Sequence, residues 1–89
     1  MHASIHHIDI TVSNLGRSTT FYDQVLPLMG FRRIKDVPEG PLWAGTQAEI
    51  GLVSARSHRQ HDRYSPGLHH LAFHAPDRTA VDRFHEQAL

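Results

Sequence analysis

Apolar and polar positions alternate from Ile5 to Val12. Ile8, Ile10 and Val12 fall on one side with His6, and Ile5, His7, Asp9 and Thr11 fall on the other. A period of two marks a strand. Its apolar side predicts packing against a helix. Its polar side, on a strand expected to be central, predicts a lined cavity. Ser13 and Asn14 are helix-capping types. The spacing of Leu15, Ser18, Phe21, Tyr22, Val25 and Leu26 predicts a helix over 15–26 with these residues as its buried stripe. Pro27 and Gly30 punctuate its end.

Residues 31–37 can form a strand carrying exposed Arg32, Arg33 and Lys35. Pro38-Glu39-Gly40-Pro41 reads as a turn, and 42–46 and 49–55 as two more short strands. Residues 5–55 therefore predict a βαβββ unit. Residues 56–67 form a polar connector. His58 and His61 lie in it, and because nothing apolar supports a helix there, they are expected in a solvated loop. Leu68 to Ala75 reads as a strand again. Asp77 is expected to cap a second helix with Ala80, Val81, Phe84 and Ala88 as its stripe.

The two halves repeat. IHHIDITVSNLGRSTTFY at 5–22 matches LHHLAFHAPDRTAVDRFH at 68–85 without a gap. Ile5 pairs with Leu68, His6 with His69, His7 with His70, Ile8 with Leu71, Ile10 with Phe73, Asn14 with Asp77 and Phe21 with Phe84. A strand-plus-helix repeat implies two similar units related by approximate two-fold symmetry. The fold expectation is α+β, built from paired βαβββ modules. The domain is expected to be single and C-terminally incomplete, with 5–55 as the first module and 68–89 as the start of the second. Its exposed sheet edges would invite a homodimer or missing strands from elsewhere.

The repeat gives the histidines a geometry. His7 and His70 occupy matching positions on cavity-facing sides of their strands, so symmetry can make them converge. Two facing imidazoles are half of a metal site, and Fe, Mn, Ni, Co or Zn would accept them. The bland alternative is that both fill polar sheet positions. His6 and His69 point to the helix side. His74 is expected to face the cavity as a substrate contact. Asp9, two residues from His7 on the same side, could orient that imidazole or be a plain strand-end carboxylate. Trp43 and Tyr22 could line a pocket, but core packing is preferred, as it is for Phe21 and Phe84.

Composition narrows the partners. Nine Lys plus Arg balance nine Asp plus Glu, which argues against a nucleic-acid or membrane surface. The absence of cysteine excludes disulfides and thiolate metal sites. No stretch approaches the roughly 18 apolar residues of a membrane span, and the N-terminus has no signal-like pattern. A cytoplasmic protein acting on a small molecule is expected. Nine histidines in 89 residues are the compositional oddity.

HHIDITVSNLGRSTTFYDQVLPLMGF resembles the opening of the glyoxalase/bleomycin resistance protein/extradiol dioxygenase family, the vicinal oxygen chelate superfamily. PGLHHLAFHA resembles the strand that opens its second module. The resemblance implies metal ligands at His7 and His70. In glyoxalase-like members a carboxylate in the fourth strand is a further ligand; that position falls on Gly51, with Glu49 two residues earlier on the same side as a substitute. Dioxygenase-like members take a Glu from the last strand, which would lie beyond Leu89. Two functions follow as expectations. One is a metal-dependent lyase, isomerase or dioxygenase acting on a substrate that chelates a divalent metal through vicinal oxygens. The other is a non-catalytic, sequestering protein of the bleomycin-resistance type.

Overall fold

The computed structural model describes residues 1–37 and 40–88. Strand β1 (His7–Val12) is followed by helix α1 (Leu15–Val25), a 3-10 turn over Leu26–Met29, β2 (Arg32–Val37), β3 (Gly40–Ala44), β4 (Glu49–Ser54) and helix α2 (Arg78–Ala88). The sheet order is β1-β4-β3-β2. β4 runs parallel to β1 and antiparallel to β3, and β2 is antiparallel to β3. This is the βαβββ unit that the alternation and the helical stripe predict. Of the expected turn at 38–41, residues 38 and 39 lie outside the described residues. Gly40 and Pro41 already belong to β3.

The ends of α1 follow local chemistry. Asn14 is extended, and its Oδ1 accepts the Arg17 backbone N–H at 3.0 Å, satisfying an otherwise orphan helix donor. After the 3-10 turn the chain reverses at Gly30, whose φ of +84° lies in the left-handed region that costs other residues energy. The Phe31 N–H then bonds the Leu26 carbonyl at 3.1 Å and sends the chain into β2.

The core lies between α1 and one face of the sheet. Leu26, Trp43, Ile50 and Leu52 are its buried centre, with Ile10, Val12, Leu15, Tyr22, Met29 and Phe31 packed around them. Trp43 is wholly buried and donates its indole N–H to Asp23 Oδ1 at 2.9 Å. Arg33 pairs with the other oxygen of Asp23 at 2.7 Å and sits 5.5 Å from the centre of the Trp43 ring. Trp43 is thus a core residue, as preferred. Phe21 is not: it is 52 % exposed and rests edge-on against Tyr22. Tyr22, Val25 and Leu26 take the sheet-facing side of α1. A neighbour one position away is turned about 100° around the axis, which carries Phe21 to the rim.

The second unit keeps its helix but not its strand. α1 and α2 each span eleven residues at the same repeat offset. Asp77 Oδ1 accepts the Ala80 N–H at 2.8 Å, as Asn14 does for Arg17. Residues 68–75, expected as a strand, take no regular structure. An alternating pattern supplies a strand's two faces, but the strand itself is completed by a neighbour's N–H and C=O groups. Among the described residues this segment hydrogen-bonds to neither edge of the sheet. Its contact with the core is Phe73 set edge-on against Phe31, ring centres 6.2 Å apart. Phe84, expected in the core, is only half-buried, and α2 buries no residue fully. The 56–67 connector carries turns only, as its polarity predicts.

Candidate functional site

The face of the sheet opposite the core carries the polar half of β1. The 7–12 burial pattern alternates at every residue, with Ile8, Ile10 and Val12 turned inward and His7, Asp9 and Thr11 outward. The parallel register sets His7 beside Glu49 and Asp9 beside Gly51, and β3 continues the second row with Leu42 beside Gly51. His7, Asp9 and Gly51 line a cavity of about 380 Å³ whose remaining walls are Pro41, Leu42, Leu52 and Val53. A polar rim on an apolar floor suits a small molecule.

His7 is the centre of the polar group. Its Nε2 donates to Asp9 Oδ1 at 2.7 Å and its Nδ1 to Glu49 Oε1 at 3.2 Å. Both partners are carboxylates and can only accept, so the two bonds together call for a ring protonated on both nitrogens. The same contacts hold the His7 pKa above the ordinary imidazole range; the hydrogen bond to Asp9 is the largest cause and that to Glu49 the next. Side-chain exposures of 33 % for His7 and 31 % for Glu49 leave both within reach of a ligand.

One imidazole and one carboxylate on adjacent strands are the donor types a borderline divalent cation prefers. Their 3.2 Å separation is close to the spacing of neighbouring ligands at about 2.1 Å around one ion. The pair therefore fits a shared cation. A third protein donor is not gathered: no three His, Asp or Glu side chains are grouped to hold a metal among the described residues. His70 and His74 lie exposed in the irregular 68–75 segment. His69, beside them, sets its ring edge-on to Tyr64 and contacts Arg63. His7, Asp9 and Glu49 are thus brought together, whereas His70 and His74 are not joined to them.

One site residue escaped the sequence reading in its structural role. Gly51 is the bare position across from Asp9. A Cβ there would overlap Asp9 Oδ1 and stand 3.5 Å from Leu42 Cδ1. The alternation of β1 and β4 assigns sides to each strand separately. Only the register reveals which residue of one strand faces which of the other.

A four-stranded βαβββ unit followed by a second capped helix at the repeat offset, with a polar-rimmed cavity on the open sheet face, defines a mixed α+β fold. The chain matches the Glyoxalase/Bleomycin resistance protein/Dioxygenase superfamily over residues 4–89, and it belongs to that superfamily. It is 30% identical over 86 residues to the "Uncharacterized protein YqjT" of Bacillus subtilis (strain 168), covering 93% of this chain and 67% of that protein. It also superposes on a crystal structure named as that of a "putative glyoxalase" from Bacillus halodurans. The TM-score is 0.81 at 28% identity, over 92% of this chain and 64% of that one. The chain thus spans just under two thirds of the length of that solved relative. No helix among the described residues is long and apolar enough to cross a membrane.

Proposed function

We propose that this protein is a metal-dependent enzyme of the superfamily acting on a small substrate with two neighbouring oxygens, of the glyoxalase or extradiol-dioxygenase kind. His7 and Glu49 hold the divalent cation (Fe, Mn, Ni, Co or Zn), and His70, from the segment that opens the second module, is the second imidazole. The observation that carries this reading is the register pairing of His7 with Glu49 beside the cavity, 3.2 Å apart. When bound, the cation supplies Lewis acidity toward the substrate oxygens. The apolar walls, Leu42 and Val53 among them, take the carbon part of the substrate and exclude water from it. Asp9, on the cavity rim with Oδ1 engaged by the His7 Nε2–H, can take a proton from a bound substrate on its other carboxylate oxygen.

Calorimetric titration of the protein with nickel or manganese tests this. One site per chain is expected, weakened at least tenfold by each of His7→Ala, Glu49→Ala and His70→Ala. Unchanged binding in His7→Ala overturns the assignment, and unchanged binding in His70→Ala alone removes that residue from the ligand set.

The pairing of both His7 nitrogens with carboxylates also supports a second reading, that of a cavity which sequesters its ligand without metal. Wild-type protein that binds no divalent cation would favour it.

A further inference from the structure

Asp9 and Gly51 form a matched pair across the β1–β4 ladder. They are register partners in a parallel ladder, and both face the cavity. The Asp9 carboxylate lies over Gly51, in the volume that a Cβ at 51 would need. From that position its Oδ1 makes the shorter of the two His7 hydrogen bonds, 2.7 Å against 3.2 Å. Gly51 lies mid-strand in β4, where glycine costs stability relative to a residue with a side chain. Its φ lies outside the left-handed region, so backbone conformation does not require glycine there.

We infer that Asp9 is a positioning residue for His7, and that Gly51 is what admits it. A carboxylate from β1 occupies the space left by the missing side chain of β4 and clamps the imidazole by Nε2. The clamp selects the nitrogen: with Nε2–H held by Asp9, Nδ1 is the atom directed toward Glu49. For metal binding, the inference rests on the proposed His7–Glu49 site and specifies Nδ1 as the nitrogen that meets the cation. A carboxylate behind a ligating histidine fixes both tautomer and ring orientation.

The test is a mutant cycle on Asp9→Ala, Gly51→Ala and the double variant, read first without metal. Long-range proton–nitrogen NMR at fixed pH reports the two His7 ring nitrogens. Asp9→Ala and Gly51→Ala should shift the His7 Nε2 resonance in the same direction by similar amounts, because the new methyl expels the carboxylate. In the Asp9→Ala background, Gly51→Ala should add nothing. A Gly51→Ala spectrum identical to wild type, or a further shift in the double variant, overturns the inference.

The atoms nearest the new methyl are the end of the Asp9 side chain and, at ordinary contact distance, Leu42 Cδ1, so the single variant should fold. If it does not, the double variant should recover the melting temperature of Asp9→Ala. A double variant as unstable as Gly51→Ala overturns the inference too. Nickel titration separates this from the proposed function. Asp9→Ala and Gly51→Ala should each weaken binding about 10- to 100-fold. Metal binding insensitive to His7→Ala sinks the metal reading and leaves the NMR cycle to decide the clamp. Binding lost in His7→Ala but unaffected by Asp9→Ala and Gly51→Ala overturns the clamp alone.

Discussion

Asp23 joins helix, sheet and surface, and removing its carboxylate should be costly out of proportion to its exposure. One oxygen accepts the indole N–H of the wholly buried Trp43 at 2.9 Å, and the other pairs with Arg33 at 2.7 Å. In Asp23→Ala the Trp43 N–H is left in the core without this acceptor. A buried donor deprived of its partner costs about 1–3 kcal/mol. The Arg33 pair is 36 % and 41 % exposed on its two sides, so solvent screening holds its share to roughly 0.2–1 kcal/mol. The sum is about 1–4 kcal/mol. For a domain of this size about 1 kcal/mol moves the melting temperature by roughly 4–8 °C, which puts the fall at roughly 5–30 °C.

Urea unfolding followed by circular dichroism measures the free energy, and a cycle with Trp43→Phe isolates the hydrogen bond. With no indole N–H to strand, Asp23→Ala should cost only the Arg33 share. A coupling energy of about 1–2 kcal/mol is expected from the cycle. An Asp23→Ala variant within about 0.5 kcal/mol of wild type, or an equal cost in both backgrounds, would refute the reasoning.

Three further outcomes are expected. His7 has a folded-state pKa raised above its unfolded value, so its contribution to stability is fully present below the unfolded pKa of about 6.5 and lost as pH rises through the folded one. Urea titrations across that window should show the decline in wild type and not in His7→Ala, while cation affinity should run the other way and increase with pH as the ring releases its proton. Asn14→Ala should cost about 1 kcal/mol through the lost cap, whereas Asp77→Ala, at the start of a helix with no buried residue, should instead speed amide exchange over α2 with little change in global unfolding. Phe21→Ala at the rim should cost well under the roughly 2–5 kcal/mol expected of Ile50→Ala in the core; equal costs, measured by denaturant unfolding, would contradict the observed placement of Phe21.

Much of the first module can be read from order alone. Alternation in β1, the cap at Asn14, the stripe through Tyr22, Val25 and Leu26, and the αL stop at Gly30 are local decisions, taken between residues a few positions apart. The repeat reaches further, since the same cap chemistry at Asn14 and Asp77 starts two helices of equal length. The family was legible only through resemblance, because HHIDITVSNLGRSTTFYDQVLPLMGF and PGLHHLAFHA are similar to the segments that open its two modules.

Tertiary structure decided what depends on neighbours distant in sequence. The 68–75 segment has the pattern of a strand, yet a strand exists only where another supplies hydrogen-bond partners. Phe21 has the spacing of a core residue, yet the docking angle of α1 assigned the core to Tyr22. Glu49 and Asp9 could be assigned to the side of the sheet that carries His7, but their convergence on its two nitrogens follows from the register of β4 against β1. The same register sets Gly51 beneath Asp9. Patterning determines which face a side chain occupies; only long-range pairing determines which side chains meet there, because the contacts that close the site lie about forty residues apart along the chain.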